Sequence, residues 1–222
     1  MQANSRQVSS NQQHPHPGLA ATVRKHLASD YRRPVAEHSR AAYRTVTECL
    51  EREARPLVLD SFCGTGRSTA LLARAFPDHL VVGVDKSDRR LARHTGGGEG
   101  NYCLLRADCE DIWQLLLADG LQVARHYLLY PNPWPKAKHL QRRIHGHGSL
   151  PLLVELGGEI TLRSNWQLYV EEFGLAMHLA GRRGFISRVN GEPPLTLFER
   201  KYRDSGHSLW QFTTAKLEHK VP

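Results

Sequence analysis

The chain is short of cysteine and of acids, and it has no long apolar run. Its four cysteines, Cys49, Cys63, Cys103 and Cys109, show no CxxC spacing, and no histidine pair stands at zinc-finger distance from them. That pattern excludes a disulfide framework and a structural metal as expectations, and reduced thiols follow. No apolar stretch is long enough to span a bilayer, and no basic amphipathic helix has an obvious lipid face. The opening MQANSRQVSSNQQHPHPG also lacks the apolar centre of a signal peptide. A cytoplasmic protein with no membrane partner is expected. No repeat of solenoid length occurs. Asp and Glu total 22 against 30 Lys and Arg, so the net charge is +8, and 13 histidines can add to it in mild acid. This excess points to an anionic partner, with nucleic acid foremost.

With 222 residues the chain can bury one good core, but two full domains are not expected. The pattern divides it into a polar N-terminus without order over residues 1–17, a helical extension over 18–54 and one main domain over 55–222. In the extension, LAATVRKHLASDY and AEHSRAAYRTVTECLERE read as helices separated near Pro34. From Pro56 the pattern becomes strand, glycine turn, helix, strand: PLVLDS, CGTGRS, TALLARAF, HLVVGVD. This βαβ unit implies a parallel sheet. Alternation continues with DRRLARH, NYCLLRAD, EDIWQLLLA and VARHYLLY. IHGHGSLPLLVEL reads as mostly helical, GGEITLRS as a fifth strand, WQLYVEEFGLAMHLAG as a helix, and FISRV with HSLWQFTTAKL as a closing antiparallel pair. The fold class is therefore α/β, with a doubly wound, mostly parallel sheet preceded by N-terminal helices.

The stretch from Tyr130 to Arg143, YPNPWPKAKHLQRR, follows an apolar strand directly. Pro131, Pro133 and Pro135 forbid helix and central-strand pairing, so the backbone is expected to leave the sheet rigid and extended. It would hold Asn132 and Trp134 at the strand's carboxyl end, where open α/β sheets bind ligands. Trp134 would stack on an extruded base or cover the sheet edge. Lys136, Lys138, Arg142 and Arg143 read as a phosphate-tracking patch, which Arg32, Arg33 and Arg40 would extend, or as a solvated face. His145 and His147 read as solvated loop histidines, and no metal is assigned.

Asp60 opens a turn, DSFCGTG, whose Gly64 and Gly66 let a ligand approach backbone N–H groups. The turn is not a Walker A loop, because no Gly-Lys-Ser/Thr follows, and it lacks the full three-glycine dinucleotide pattern. Asp85 ends the second strand, where such folds place an acid against ribose hydroxyls, and Asp108 ends the third. Capping of the following helix is the alternative role for both acids.

These motifs resemble those of the S-adenosylmethionine-dependent tRNA (guanine-N7) methyltransferases. PNPWPKAKHLQRR is similar to that family's Pro-Asp-Pro-Trp-Pro-Lys segment with trailing basic residues. TLFE at Thr196, Leu197, Phe198 and Glu199 is similar to its Thr-x-Phe-Glu motif. The resemblance runs from Leu57 to about Phe212 and implies a seven-stranded Rossmann-like sheet, S-adenosyl-L-methionine as cofactor, and tRNA or another RNA as partner. It assigns the cofactor's methionine end to Asp60 and the Gly64/Gly66 turn, its ribose to Asp85 and its adenine neighbourhood to Asp108. Lys136 and Thr196 to Glu199 would face the substrate, together with Trp134, Asn165, Arg142 and Arg143. Asn132 would stand at the reacting centre beside cofactor and base.

Three positions depart from the family pattern. Asn132 and Ser164-Asn165 replace Asp and Thr-Asp, and the glycine turn lacks the usual Glu-Ile-Gly opening. The amide also leaves open a paralogue acting on another base, an exocyclic amino group or a small molecule, since Asn-Pro-aromatic occurs in amino methyltransferases. A non-catalytic RNA-binding protein is the third reading. Glu199 and Glu192 are the late acids available to replace the missing carboxylates.

Overall fold

The computed structural model describes residues 5–96, 100–191 and 193–215. Helices α1 (Leu19–Leu27) and α2 (Glu37–Arg52) precede a βα series: β1 (Leu57–Ser61), α3 (Arg67–Ala75), β2 (Leu80–Asp85), α4 (Asp88–Leu91), β3 (Tyr102–Arg106), α5 (Cys109–Ala118) and β4 (Val123–Leu129). Two 3-10 turns over Ala137–Arg142 and Ile144–Gly146 lead into α6 (Leu150–Glu155), β5 (Glu159–Ser164), α7 (Gln167–Leu179), β6 (Gly184–Arg188), α8 (Leu197–Asp204) and β7 (Trp210–Thr214).

The seven strands run in the order β3-β2-β1-β4-β5-β7-β6, and β7 alone runs opposite to the other six. β1, β2 and β5 are almost wholly buried; β1 and β2 accordingly read as mostly apolar runs, whereas β5 alternates, its Thr161, Arg163 and Ser164 buried with polar side chains. The chain winds outward from β1 through β2 to β3, then returns to start again at β4. The crevice beyond the carboxyl ends of β1 and β4 is therefore the topological switch point.

Helices cover both faces of the sheet. Tyr43 and Val46 of α2, Ile112, Trp113 and Leu116 of α5, Leu150 and Leu153 of α6, and Tyr169, Phe173 and Met177 of α7 share one core with the strands. α3 packs on the other face, where Gly83 makes room for it. A Cβ at Gly83 would lie 2.3 Å from Thr69 Oγ1. That close approach brings α3 near enough to reach the end of β1.

The sequence reading is matched for every strand, and α8, not foreseen as a helix, starts at the TLFE motif. The expected reach of the last strand to Leu217 lies outside the described residues beyond Ala215. Residues 5–17 carry no helix or strand, as a Ser/Asn/Gln-rich stretch with prolines dictates. They are not loose, however, because buried and half-buried polar groups of the main domain bind them, as described below. No helix of the described residues is long and apolar enough to cross a membrane.

Candidate functional site

Asp60, Gly64, Gly66 and Asp85 come together at the switch point. Asp60 is fully buried, and its Oδ2 accepts hydrogen bonds from Ser68 Oγ at 2.6 Å and Thr69 Oγ1 at 2.7 Å. Among the described residues its Oδ1 has no hydrogen-bond partner. Burial pushes the carboxyl up to about 6, the two hydroxyl donors oppose the rise, and nearby Asp85 adds to it. A buried carboxylate oxygen without a donor requires a compensating group, and the ammonium of an amino-acid ligand is one of the right charge.

The two glycines do different work. Both have positive φ, 62° at Gly64 and 72° at Gly66. A Cβ at Gly64 would meet nothing within 4 Å, so this residue borders open space, whereas one at Gly66 would fall 2.6 Å from Leu104 Cδ1. Gly64 thus leaves the ligand face open and Gly66 lets the turn pack on β3. Phe62 holds φ at 62° without being glycine, and its N–H donates to Cys109 Sγ at 3.2 Å. Its ring sits edge-on to Trp113 at 6.2 Å. A tight contact with α5 thereby holds a conformation that side chains other than glycine disfavour.

Asp85 is only 1% exposed. Its Oδ2 accepts from Gly64 N–H at 3.0 Å, its Oδ1 from Ser87 N–H at 2.8 Å, and Arg90 pairs with Oδ1 at 3.1 Å. These contacts hold the glycine turn in shape. Asp108 stands at the N-cap of α5 and pairs with Arg33 at 3.0 Å. Arg33 is thus tied to the N-terminus of α5. Arg32 pairs with Asp30, and Arg40 is exposed.

The chain bends at Tyr130 and again at Lys136, with no helix, strand, turn or bend across the three prolines between them. Tyr130 (φ 55°) and Trp134 (φ 44°) both occupy the left-handed region. Tyr130 N–H still donates to Arg163 O at 2.9 Å, the last ladder bond before Pro131 removes the donor. Asn132 is exposed. Trp134 is half-buried, with the Arg142 guanidinium 4.8 Å above its ring and His139 edge-on at 5.5 Å. Lys136, Lys138 and Arg142 are exposed, as a phosphate patch requires.

Arg143 departs from that expectation, being 0% exposed. It forms an ion pair with Glu172 of α7, donates from Nε to Trp134 O at 3.2 Å and from NH2 to Gln12 Oε1 at 3.0 Å, and lies 5.0 Å from the Trp166 ring centroid. It holds the turn and does not track phosphate. His145 is likewise buried, not solvated, with Nε2 at 3.0 Å from Glu172 Oε2, and burial lowers its pKa. Burial alone would raise Glu172, yet the bonds from His145 and His16 N–H and the charge of Arg143 hold it well below the usual carboxylate range.

On the other lip, Thr196 caps α8, its Oγ1 accepting from Glu199 N–H at 2.9 Å. Glu199 is fully buried and pairs with Arg163 of β5 at 3.2 Å and Arg203 at 2.9 Å. It anchors the helix, while Leu197 (38% exposed) and Phe198 (51%) face outward. Tyr202 joins α8 to the proline turn through the Tyr130 ring at 5.6 Å and stacks on His207 at 5.4 Å. Asn165 Nδ2 donates to His207 Nδ1 at 3.2 Å. Glu192 lies outside the described residues.

Sequence reasoning missed Glu172, His207 and Gln12. Glu172 had one signal: an acid on the same helical face as Tyr169, Phe173 and Ala176, all buried, where an ionised group needs partners. His207 and Gln12 had none.

A family model described as "Putative methyltransferase" matches residues 54–212. The chain is similar to the tRNA (guanine-N(7)-)-methyltransferase of Zymomonas mobilis subsp. mobilis, 32% identical over 175 residues that cover 71% of this chain and 74% of that protein. It is also similar to the protein of the same name from a Nocardioides species, 33% identical over 177 residues, covering 74% and 69%. Among solved structures, the 16S rRNA methyltransferase KamB superposes with a TM-score of 0.56 at 18% identity, covering 82% of this chain and 94% of that one, a likeness of fold.

Proposed function

Because the chain belongs to the tRNA (guanine-N(7)-)-methyltransferase family, we propose that it transfers a methyl group from S-adenosyl-L-methionine to N7 of a guanine in the tRNA variable region. The observation that carries the cofactor reading is the unpartnered Oδ1 of buried Asp60. It lies on a carboxylate at the switch point, beside a glycine turn whose Gly64 borders open space. Asp60 would receive the amino group of the cofactor's methionine end, and the Gly64 turn would lie against its backbone. Bound S-adenosylmethionine supplies a methyl carried on a sulfonium, ready for displacement.

Guanine N7 has a lone pair and no proton, so the chain's residues need only align the base and exclude water. The proline turn supplies one wall, with Asn132 and Trp134, and the α8 N-terminus with Leu197 and Phe198 supplies the other. Asn132 offers one acceptor where a carboxylate offers two to the guanine N1–H and amino edge. Lys136, Lys138 and Arg142 stand outside that cleft, where a polyanion's backbone would pass.

Incubation with labelled S-adenosylmethionine and total tRNA, followed by nucleoside analysis, tests this reading. Label is expected in 7-methylguanosine. Label in a methylated amino group instead would favour the alternative that Asn132's amide carbonyl invites, and label in no nucleoside would overturn the assignment.

A further inference from the structure

The N-terminal segment bridges both lips of the substrate side. Ser5 N–H donates to Ser205 Oγ at 3.1 Å, and His207 donates from Nε2 to Ser5 O at 2.9 Å. Ser10 Oγ donates to Pro135 O at 2.7 Å. Gln12 Nε2 donates to Glu172 Oε1 at 2.7 Å, and His16 N–H reaches the same oxygen at 2.8 Å. These contacts join residues between 125 and 202 positions apart, so residues 5–16 form a strap from α8 across the proline turn to α7.

The amide at Asn165 fits this strap. By donating to His207 Nδ1 it leaves the ring's other nitrogen to donate to Ser5 O. A carboxylate at position 165 has no hydrogen to give, so the same relay would need a different protonation of His207. The departure from the family pattern at Asn165 and the ordered strap are thus parts of one arrangement.

Between strap and turn lies an open cavity of about 450 Å³, with Ser9, Ser10 and Asn11 on one side and Lys136 and Lys138 on the other. No carboxylate lines it, and neither lysine is paired with an acid among the described residues. Hydroxyl, amide and two ammonium groups around one space match the needs of a phosphodiester: hydrogen-bond donors and positive charge. We infer that the strap is a wall of the RNA site, pinned to the turn by Ser10, and that Ser9 and Asn11 with Lys136 and Lys138 receive one backbone phosphate of the RNA. This rests on the RNA-methylating reading above.

The test compares the full-length protein with a Ser9→Ala/Asn11→Ala variant, a Lys138→Ala variant and their combination, by tRNA binding at two salt concentrations, cofactor calorimetry and thermal denaturation. Ser9 and Asn11 are exposed, so their loss should leave Tm and cofactor affinity unchanged while tRNA affinity falls on the order of tenfold, as for lost donors to a charged group. The Lys138→Ala effect should be smaller in the strap variant than in the full chain, because both act on one phosphate. An unchanged or tighter tRNA affinity in the strap variant would overturn the inference while the proposed activity stands. A full-length protein that binds no tRNA would overturn both. Saturable, strap-dependent binding of inorganic phosphate without any strap effect on tRNA would assign the cavity to a free anion and also overturn it.

Discussion

At the topological switch point, where the proposed cofactor site lies, Asp60, Gly64, Gly66 and Asp85 sit on two neighbouring parallel strands and the turn that follows one of them. Their contacts are short-range: Ser68 and Thr69 to Asp60, and Gly64 and Ser87 to Asp85. On the substrate side, the proline turn, Asn165, α8 and the strap come from four distant stretches and are joined through buried ionic and ring contacts. The first side is assembled as soon as β1, α3 and β2 pack. The second exists only after both ends of the chain have met. A locally built site tolerates change elsewhere, whereas a stitched one depends on a few hubs.

The largest effect that would sharpen this contrast is expected at Glu172. Replacing it with Ala leaves Arg143 buried and unpaired, and breaking such a pair costs about 3 to 5 kcal/mol, which corresponds to a fall in Tm of roughly 10 °C for a chain of this size. Thermal denaturation reads it. Cofactor affinity, measured by calorimetry well below the transition, should be unchanged. A parallel loss of cofactor binding would show that the two sides are not independent.

The next effect lies on the cofactor side. Asp60→Asn removes the charge opposite the ligand ammonium and should weaken cofactor binding on the order of 100-fold, the range of one charge-assisted hydrogen bond. In the wild type, affinity should also fall as pH drops through about 6, because that is where the buried Asp60 protonates. The sign for folding is opposite. A carboxyl raised from 3.8 to about 6 contributes stability that is full below 3.8 and is lost as pH rises to about 6. Calorimetry between pH 5 and pH 8 should show this dependence in the wild type and a flat profile in Asp60→Asn. A sloping profile in the variant would remove Asp60 from the role.

The smallest effect is expected at Asn132, where Asn132→Asp restores a second acceptor. One buried polar group satisfied is worth about 1 kcal/mol, so kcat/KM for tRNA guanine should rise roughly fivefold, with cofactor affinity held. A loss of activity would mark the amide as adapted to a base that presents an amino group differently.

The strand ends and the glycine turn were legible because apolar runs, turn residues and acids lie close together in the sequence, and the parallel topology then places them. The proline turn was legible as a break in the sheet, since Pro131, Pro133 and Pro135 leave no alternative, but the left-handed backbone at Tyr130 and Trp134 was not. Two basic residues of similar appearance had opposite fates. Lys138 stayed in solvent, while Arg143 was drawn inside by an acid on α7. The motif at Thr196 to Glu199 was read as a substrate contact, and within it Glu199 anchors α8 on Arg163 while Leu197 and Phe198 stay exposed.

Local pattern alone determined the α/β class, the strand sequence, the glycine turn and the acids at the strand ends beside it. Those features follow from periodicity and backbone stereochemistry, which act over a few residues. Tertiary structure decided which charges are buried and which are free, and it turned a polar N-terminus into a strap across the substrate side. Burial and pairing depend on partners more than a hundred residues away, such as Gln12 with Glu172 and Ser5 with His207, and no local pattern records them.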